Sequence, residues 1–207
     1  SVKEVSFSKG DFMFSQDQPS CCVFVLTDGV AKIVSVTPDG REQIVGFASP
    51  EKLMVGLQSL SNDSYTESAV AETNITACKI RKRSLLSAVT SDAHVALRLI
   101  DAMNAQLAMS RAMIRAGEHG SAPAKIAAFL LLLLPTDKHD DRRHVLPVSR
   151  SEIANTLGLS EETVCRQMAK MKRCGILYAP RGGIEVYDWA QLNAIANEKA
   201  SASERAA

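Results

Sequence analysis

The first 93 residues contain no histidine. That absence counts strongly against a cupin-like metal enzyme, which clusters His and Glu on strands, and against a haem held by the same region. No glycine-rich phosphate loop and no nucleophile elbow occurs in the chain, so nucleotide hydrolysis and acyl transfer have no machinery to use. A long hydrophobic run is missing too. The longest, Ile126 to Leu134, is about half of a membrane span and reads as a buried core helix. No signal peptide opens the sequence. The five cysteines, at 21, 22, 78, 165 and 174, are odd in number and irregularly spaced, which excludes a disulfide framework and points to a reducing cytoplasm. The chain starts on Ser1 rather than Met, so a preceding segment is expected to be missing.

What remains is material for packed cores. The chain has 207 residues, 46% hydrophobic and 23% charged, which suits two small domains and excludes global disorder. The net charge of +1 is uninformative, but its distribution is not. Residues 1–92 carry nine Lys/Arg against eleven Asp/Glu, whereas residues 143–183 carry seven against three. Positive charge therefore gathers late in the chain, where a phosphate backbone could be met.

Residues 1–92 alternate short apolar stretches with turn residues. The stretches are Phe12–Phe14, Val23–Leu26, Val30–Val36, Gln43–Phe47 and Ile75–Ile80; Asp28-Gly29 and Pro38-Asp39-Gly40 lie between them. Such turns supply positive φ for tight hairpins, and many short strands predict an antiparallel β-roll. The period then changes. From Ser91 to Ala116 there is no Gly or Pro, and Ala96, Ile100, Met103, Leu107, Ser110 and Ile114 follow a heptad seam. A second ladder runs through Val95, Leu99, Ala102, Gln106, Met109 and Met113. Two apolar faces on one helix predict that one packs within the chain and the other on a second copy; a wholly intramolecular core helix is the alternative. Gly117 to Ser121 is expected to break this helix, and Ala122 to Leu134 to form the next, with Pro123 in its first turn. Asp137 to Arg143 reads as a charged loop and Asn197 to Ala207 as a polar tail.

The most informative segment is 148–187. Ser149 with Glu152 three residues on is a capping-box pattern. Ala154 and Gly158 suit two helices that cross closely through a tight turn, and Ser160 caps the second. That helix buries Val164, Met168 and Met171, while Glu161, Glu162, Cys165, Arg166, Ala169, Lys170 and Arg173 face outward. Tyr178 to Tyr187, with Arg181 at its tip, reads as a two-stranded wing. This is the layout of a winged helix-turn-helix. Arg166 suits guanine O6 and N7, and Glu162 suits the cytosine amino group; Cys165 and Glu161 flank them as further base-reading candidates. Ser149, Arg150, Ser160, Thr163, Lys170 and Arg181 are candidates for phosphate oxygens.

Residues 149–166, Ser-Arg-Ser-Glu-Ile-Ala-Asn-Thr-Leu-Gly-Leu-Ser-Glu-Glu-Thr-Val-Cys-Arg, resemble the DNA-reading motif of the Crp/Fnr superfamily of bacterial transcription regulators. The resemblance extends over nearly the whole chain. It implies an α+β fold: a β-roll sensor at 1–92, a dimerisation helix at 93–117 and a winged helix-turn-helix at 118–207. It also implies a cytoplasmic homodimer on palindromic double-stranded DNA, acting with RNA polymerase. Glu162 and Arg166 match the family's base-reading pair. Cyclic-AMP-binding members carry Gly-Glu-Leu and, about ten residues later, Arg-Ser-Ala; here Gly56-Leu57-Gln58 and Glu67-Ser68-Ala69 stand instead. A carboxylate in place of that Arg repels a phosphate and counts against a cyclic nucleotide. The resemblance is to the Fnr/FixK-like branch, and it implies a TTGA-like half-site. That branch reads with Glu-x-x-Ser-Arg, where this chain has Cys165 in place of Ser.

The signal stays open between redox, oxygen, nitrogen oxide and the protein's own abundance, with a cyclic-nucleotide-type ligand as the alternative. Cys165 and Cys78 are the redox candidates. No cofactor or metal site is evident; an iron–sulfur cluster needs four thiolates, which Cys21 and Cys22 do not supply by spacing, although Cys78 stands near the family's central ligand. A winged helix that binds protein instead of DNA is the reading from another class, and a salt titration separates the two.

Overall fold

The structure is a computed structural model, and the description covers residues 2–37, 40, 42–50, 54–118, 120–134, 143–180 and 182–198. The chain divides into two compact units, Ser1–Ser110 and Arg111–Ala207.

The first unit is built on strands β1 (Val2–Phe7), β2 (Phe12–Phe14), β3 (Cys22–Asp28), β4 (Ala31–Val36), β5 (Glu42–Ala48), β6 (Met54–Val55), β7 (Ser68–Ala71) and β8 (Ile75–Arg81). They form two antiparallel four-stranded sheets, in the orders β1-β8-β3-β6 and β2-β7-β4-β5. Alternation along the strands sends Phe24, Leu26, Ile33, Ile75 and Ala77 into one apolar core. Phe14 is central there: its ring stacks on Tyr65 at 3.9 Å and on Phe24 at 5.9 Å between centroids. The hairpin between β3 and β4 turns at Gly29 with φ +87°, and a Cβ there would lie 2.3 Å from the carbonyl oxygen of Asn74. Pro38 and Asp39 lie outside the described residues.

All five apolar stretches expected to be strands are strands. Val2–Phe7, Met54–Val55 and Ser68–Ala71 are additional ones, and helix α1 (Lys82–Ser91) follows β8 where the sequence suggested nothing. Helix α2 (Ala93–Glu118) then runs 26 residues. It continues through Gly117 and ends at Glu118, inside the segment expected to break it. Its two ladders differ. Val95, Leu99, Ala102, Gln106, Met109 and Met113 are half-buried. In the other ladder Ile100, Met103, Leu107 and Ile114 are 52%, 55%, 48% and 61% exposed, while Ala96 and Ser110 are half-buried.

The second unit contains α3 (Ala122–Leu133), β9 (Arg143–Val145), α4 (Arg150–Leu157), α5 (Glu161–Arg173), β10 (Leu177–Tyr178), β11 (Gly183–Val186) and α6 (Trp189–Ala196). Ser121 caps α3 by accepting from the Ala124 amide, with Pro123 in the first turn. Ile126, Phe129 and Leu130 are fully buried, and α3 packs on α4, α5 and α6. The wing is a three-stranded sheet, not two-stranded: β11 pairs with β10 on one side and with β9 on the other. Arg143, expected in a loop, belongs to β9. Three residues are too short for a periodic pattern, and their strand character comes from pairing with β11 some forty residues later.

Candidate nucleic-acid interface

The geometry of α4 and α5 follows from local chemistry. The Ser149 hydroxyl accepts from the Glu152 amide at 3.2 Å, and the Glu152 carboxylate accepts from the Ser149 amide at 2.8 Å. Two amides at the helix start, which have no partner within the helix, are satisfied by this reciprocal pair. Gly158 ends α4 with φ +63°. The Leu159 amide then donates to the Ala154 carbonyl at 2.9 Å, and Ser160 caps α5 by accepting from the Thr163 amide at 3.2 Å. The turn is thus tied at every step by neighbours in sequence.

α5 is strongly two-sided. Val164, Met168 and Met171 are buried against the unit. Glu161, Glu162, Cys165, Arg166, Ala169, Lys170 and Arg173 are all exposed. Acids in the first turn and Lys170, Lys172 and Arg173 in the last suit the helix dipole. Arg166 donates to Glu162 at 3.1 Å and to the Thr163 hydroxyl at 3.4 Å, with the Arg and Glu side chains 59% and 85% exposed. The pair is held in orientation but stays open to solvent, so its donors and acceptors can be exchanged for base edges.

The phosphate candidates fall into groups. Ser160 and Thr163 lie together at the start of α5, their hydroxyls 2.8 Å apart. Ser149 stands exposed at the start of α4, and Lys170 is exposed on α5. Arg150 is half-buried and donates to the Ala179 carbonyl at 2.9 Å, tying α4 to the wing. Burial lowers its pKa, and the nearby Cys165 thiol acts in the opposite sense. Arg181 lies outside the described residues. Sequence reasoning passes over Lys172, whose ammonium sits 4.4 Å from the centre of the Tyr178 ring. The contact joins α5 to β10, and only the folded wing brings the two together.

Two family profiles match the chain: a cyclic nucleotide-binding domain over residues 4–92 and a Crp-like helix-turn-helix domain over residues 124–195. The nitrogen fixation regulation protein FixK of Bradyrhizobium diazoefficiens is 32% identical over 199 residues, covering 94% of this chain and 82% of that protein. The transcriptional activator Anr of Pseudomonas aeruginosa is 30% identical, covering 91% and 78%. The solved structure of FixK2 from Bradyrhizobium japonicum superposes with a TM-score of 0.80 at 26% identity, covering 98% of this chain and all of that one. The chain belongs to the Crp/Fnr superfamily. It is a DNA-binding transcription regulator of the Fnr/FixK branch.

In this Crp/Fnr regulator the roll carries Gln58 and Glu67 bonded to each other, the Gln amide donating to the carboxylate at 2.9 Å. Glu67 is half-buried, and desolvation raises its pKa above the ordinary glutamate range while the bond from Gln58 opposes the rise. No cation compensates this carboxylate among the described residues. Cys78 is half-buried on β8 and Cys165 is exposed on α5. Among the described residues no three His, Cys, Asp or Glu side chains converge as metal ligands, so those residues do not assemble the ligand set an iron–sulfur cluster requires. No described helix is long and apolar enough to cross a membrane.

Proposed function

We propose that this regulator acts as a homodimer in the cytoplasm, reads a palindrome of TTGA-like half-sites and activates transcription together with RNA polymerase. Glu162 and Arg166 read bases, with Cys165 and Glu161 beside them. Ser149, Arg150, Ser160, Thr163, Lys170 and Arg181 set the register on phosphates. The observation that carries this is the exposed Glu162–Arg166 pair on a helix anchored behind by Val164, Met168 and Met171. The exposed seam of Ile100, Met103, Leu107 and Ile114 on α2 supports pairing through Ala96, Ile100, Met103, Leu107, Ser110 and Ile114. Activation is what the relatives' descriptions say of them.

The signal is redox, oxygen, nitrogen oxide or protein abundance. A half-buried carboxylate at Glu67, bonded among the described residues to Gln58, supports a roll that rejects a cyclic phosphate. Cys165 is the redox candidate on the DNA-facing side, where oxidation adds bulk and charge; Cys78 is the second.

Selection of bound sequences from random DNA, run with reduced and with oxidised protein, tests the reading. It should return a two-fold-symmetric TTGA-like site with reduced protein. Arg166→Ala should lose about 1–3 kcal/mol per half-site of discrimination while keeping salt-sensitive nonspecific binding. Retention of full specificity by that variant overturns the base-reading role. Equal loss on oxidation in wild type and Cys165→Ser removes Cys165 as the switch.

A further inference from the structure

Strand β10 is two residues long, Leu177 and Tyr178, and among the described residues only β11 pairs with it. So short a ladder fixes the direction of a hairpin weakly. Side chains supply the rest. Leu177 is 1% exposed and sits in the core of its unit. Arg150 on α4 donates to the Ala179 carbonyl at 2.9 Å. Between them, the Lys172 ammonium of α5 sits 4.4 Å from the centre of the Tyr178 ring. Three consecutive residues are thus tied in turn to the core, to α5 and to α4.

Lys172 is exposed, and among the described residues it makes no ion pair. The negative face of the ring is what orients its ammonium. Lys172 also stands apart from the reading face. It lies six residues after Arg166, which at about 100° per residue is about 120° round the helix from it. It belongs to the last turn of α5, whereas a recognition helix contacts bases toward its N-terminus.

We propose that Lys172 is a positioning residue for DNA binding: seated on the Tyr178 ring, it locks the wing to the reading helix and neutralises no phosphate itself. The proposal rests on α5 as the base-reading helix. Freedom removed in the free protein is freedom that binding need not freeze, so a wing already fixed against α5 meets the duplex at lower cost. The two tethers divide this work. The Arg150 bond holds one point of the backbone, about which the strand could still twist. The Tyr178 ring stands off the strand axis, and holding it removes that twist.

The test is a double-mutant cycle in the full chain, read as affinity for a duplex carrying the palindrome that selection from random DNA returns. Lys172→Met keeps the aliphatic stem and removes the charge. Tyr178→Leu keeps apolar bulk and removes the ring. Each should weaken binding about two- to five-fold per half-site, the range of an exposed cation–ring contact. The double variant should be no weaker than either alone, as expected of residues that act through one contact. Lys172→Arg and Tyr178→Phe keep the contact and should bind as wild type does. The slope of log affinity against log salt should be the same in Lys172→Met as in wild type, whereas a lost phosphate contact lowers it by about 0.9 per half-site. In the free protein, amide exchange in β10 and β11 should quicken in Lys172→Met and not in Lys172→Arg. Additive losses, a lowered salt slope, or exchange unchanged by Lys172→Met each overturn the proposal. So does a Tyr178→Phe variant as weak as Tyr178→Leu, which gives the role to the hydroxyl and not to the ring. Arg166→Ala, run beside them, keeps the two readings apart: full specificity in that variant sinks the base-reading role, while the cycle and the exchange rates still decide the clamp.

Discussion

At the scale of single residues, exposure decides what a charge is for. Arg166 and Glu162 form an exposed i,i+4 pair, an arrangement worth only about 0.3–0.5 kcal/mol. Its value lies in presenting donors and acceptors to a partner. Glu67 is the opposite case: half-buried, bonded to the Gln58 amide, and a carboxyl pushed above its usual range by desolvation. A group whose folded pKa is raised stabilises the fold fully below the unfolded value, and that contribution is lost as pH rises through the folded value. The ionised form of Glu67 therefore weighs against the roll at neutral pH. Glu67→Gln keeps an acceptor for the Gln58 amide and has no charge to desolvate. Its melting temperature relative to wild type should climb between pH 4 and pH 7, a range that starts near the ordinary glutamate pKa. A thermal-denaturation series across that range checks it, and a constant difference would show that the carboxylate is solvated.

Elements differ in how they hold their turns, and glycine shows the contrast. Gly158 adopts φ +63° between α4 and α5, and a Cβ there meets nothing within 4 Å. Gly158→Ala should cost only the left-handed backbone penalty of about 1–2 kcal/mol and leave DNA binding intact below the melting transition. Gly29 at φ +87° has the Asn74 carbonyl oxygen 2.3 Å from the Cβ position. Gly29→Ala must move backbone as well, and should cost more than about 3 kcal/mol. Denaturant titration of both variants separates the two mechanisms. The same distinction explains what could be read in advance. Ser149, Glu152, Gly158 and Ser160 bond to neighbours in sequence, so α4, α5 and the outward face of α5 were legible from spacing alone. β9 is a strand only because β11 pairs with it. The two-residue β6 likewise carries no period, and the tie from Arg150 to Ala179 spans 29 residues. Such features depend on tertiary placement, which local pattern does not encode.

For the whole molecule, the question is why one helix carries two apolar ladders. α2 begins in the first unit and ends in the second, since the boundary falls between Ser110 and Arg111. One ladder is half-buried within the chain, and the other leaves Ile100, Met103, Leu107 and Ile114 about half exposed or more. Apolar side chains repeating at heptad spacing match a second helix of the same kind, and a two-fold pair of reading helices is what a palindrome needs. Leu107→Asp tests this without disturbing the chain's own core, because Leu107 is 48% exposed. A charge at the centre of a paired seam has no partner and is desolvated, so sedimentation should report a monomer with circular dichroism unchanged. On DNA the monomer should contact half as many phosphates. The slope of log affinity against log salt should fall to about half, because each phosphate neutralised contributes a slope of about −0.9. Preference for a palindrome over a single half-site should vanish. If Leu107→Asp still sediments as a dimer with the full salt slope, the seam is not the interface, and the exposed ladder must be covered by something other than a second copy of α2.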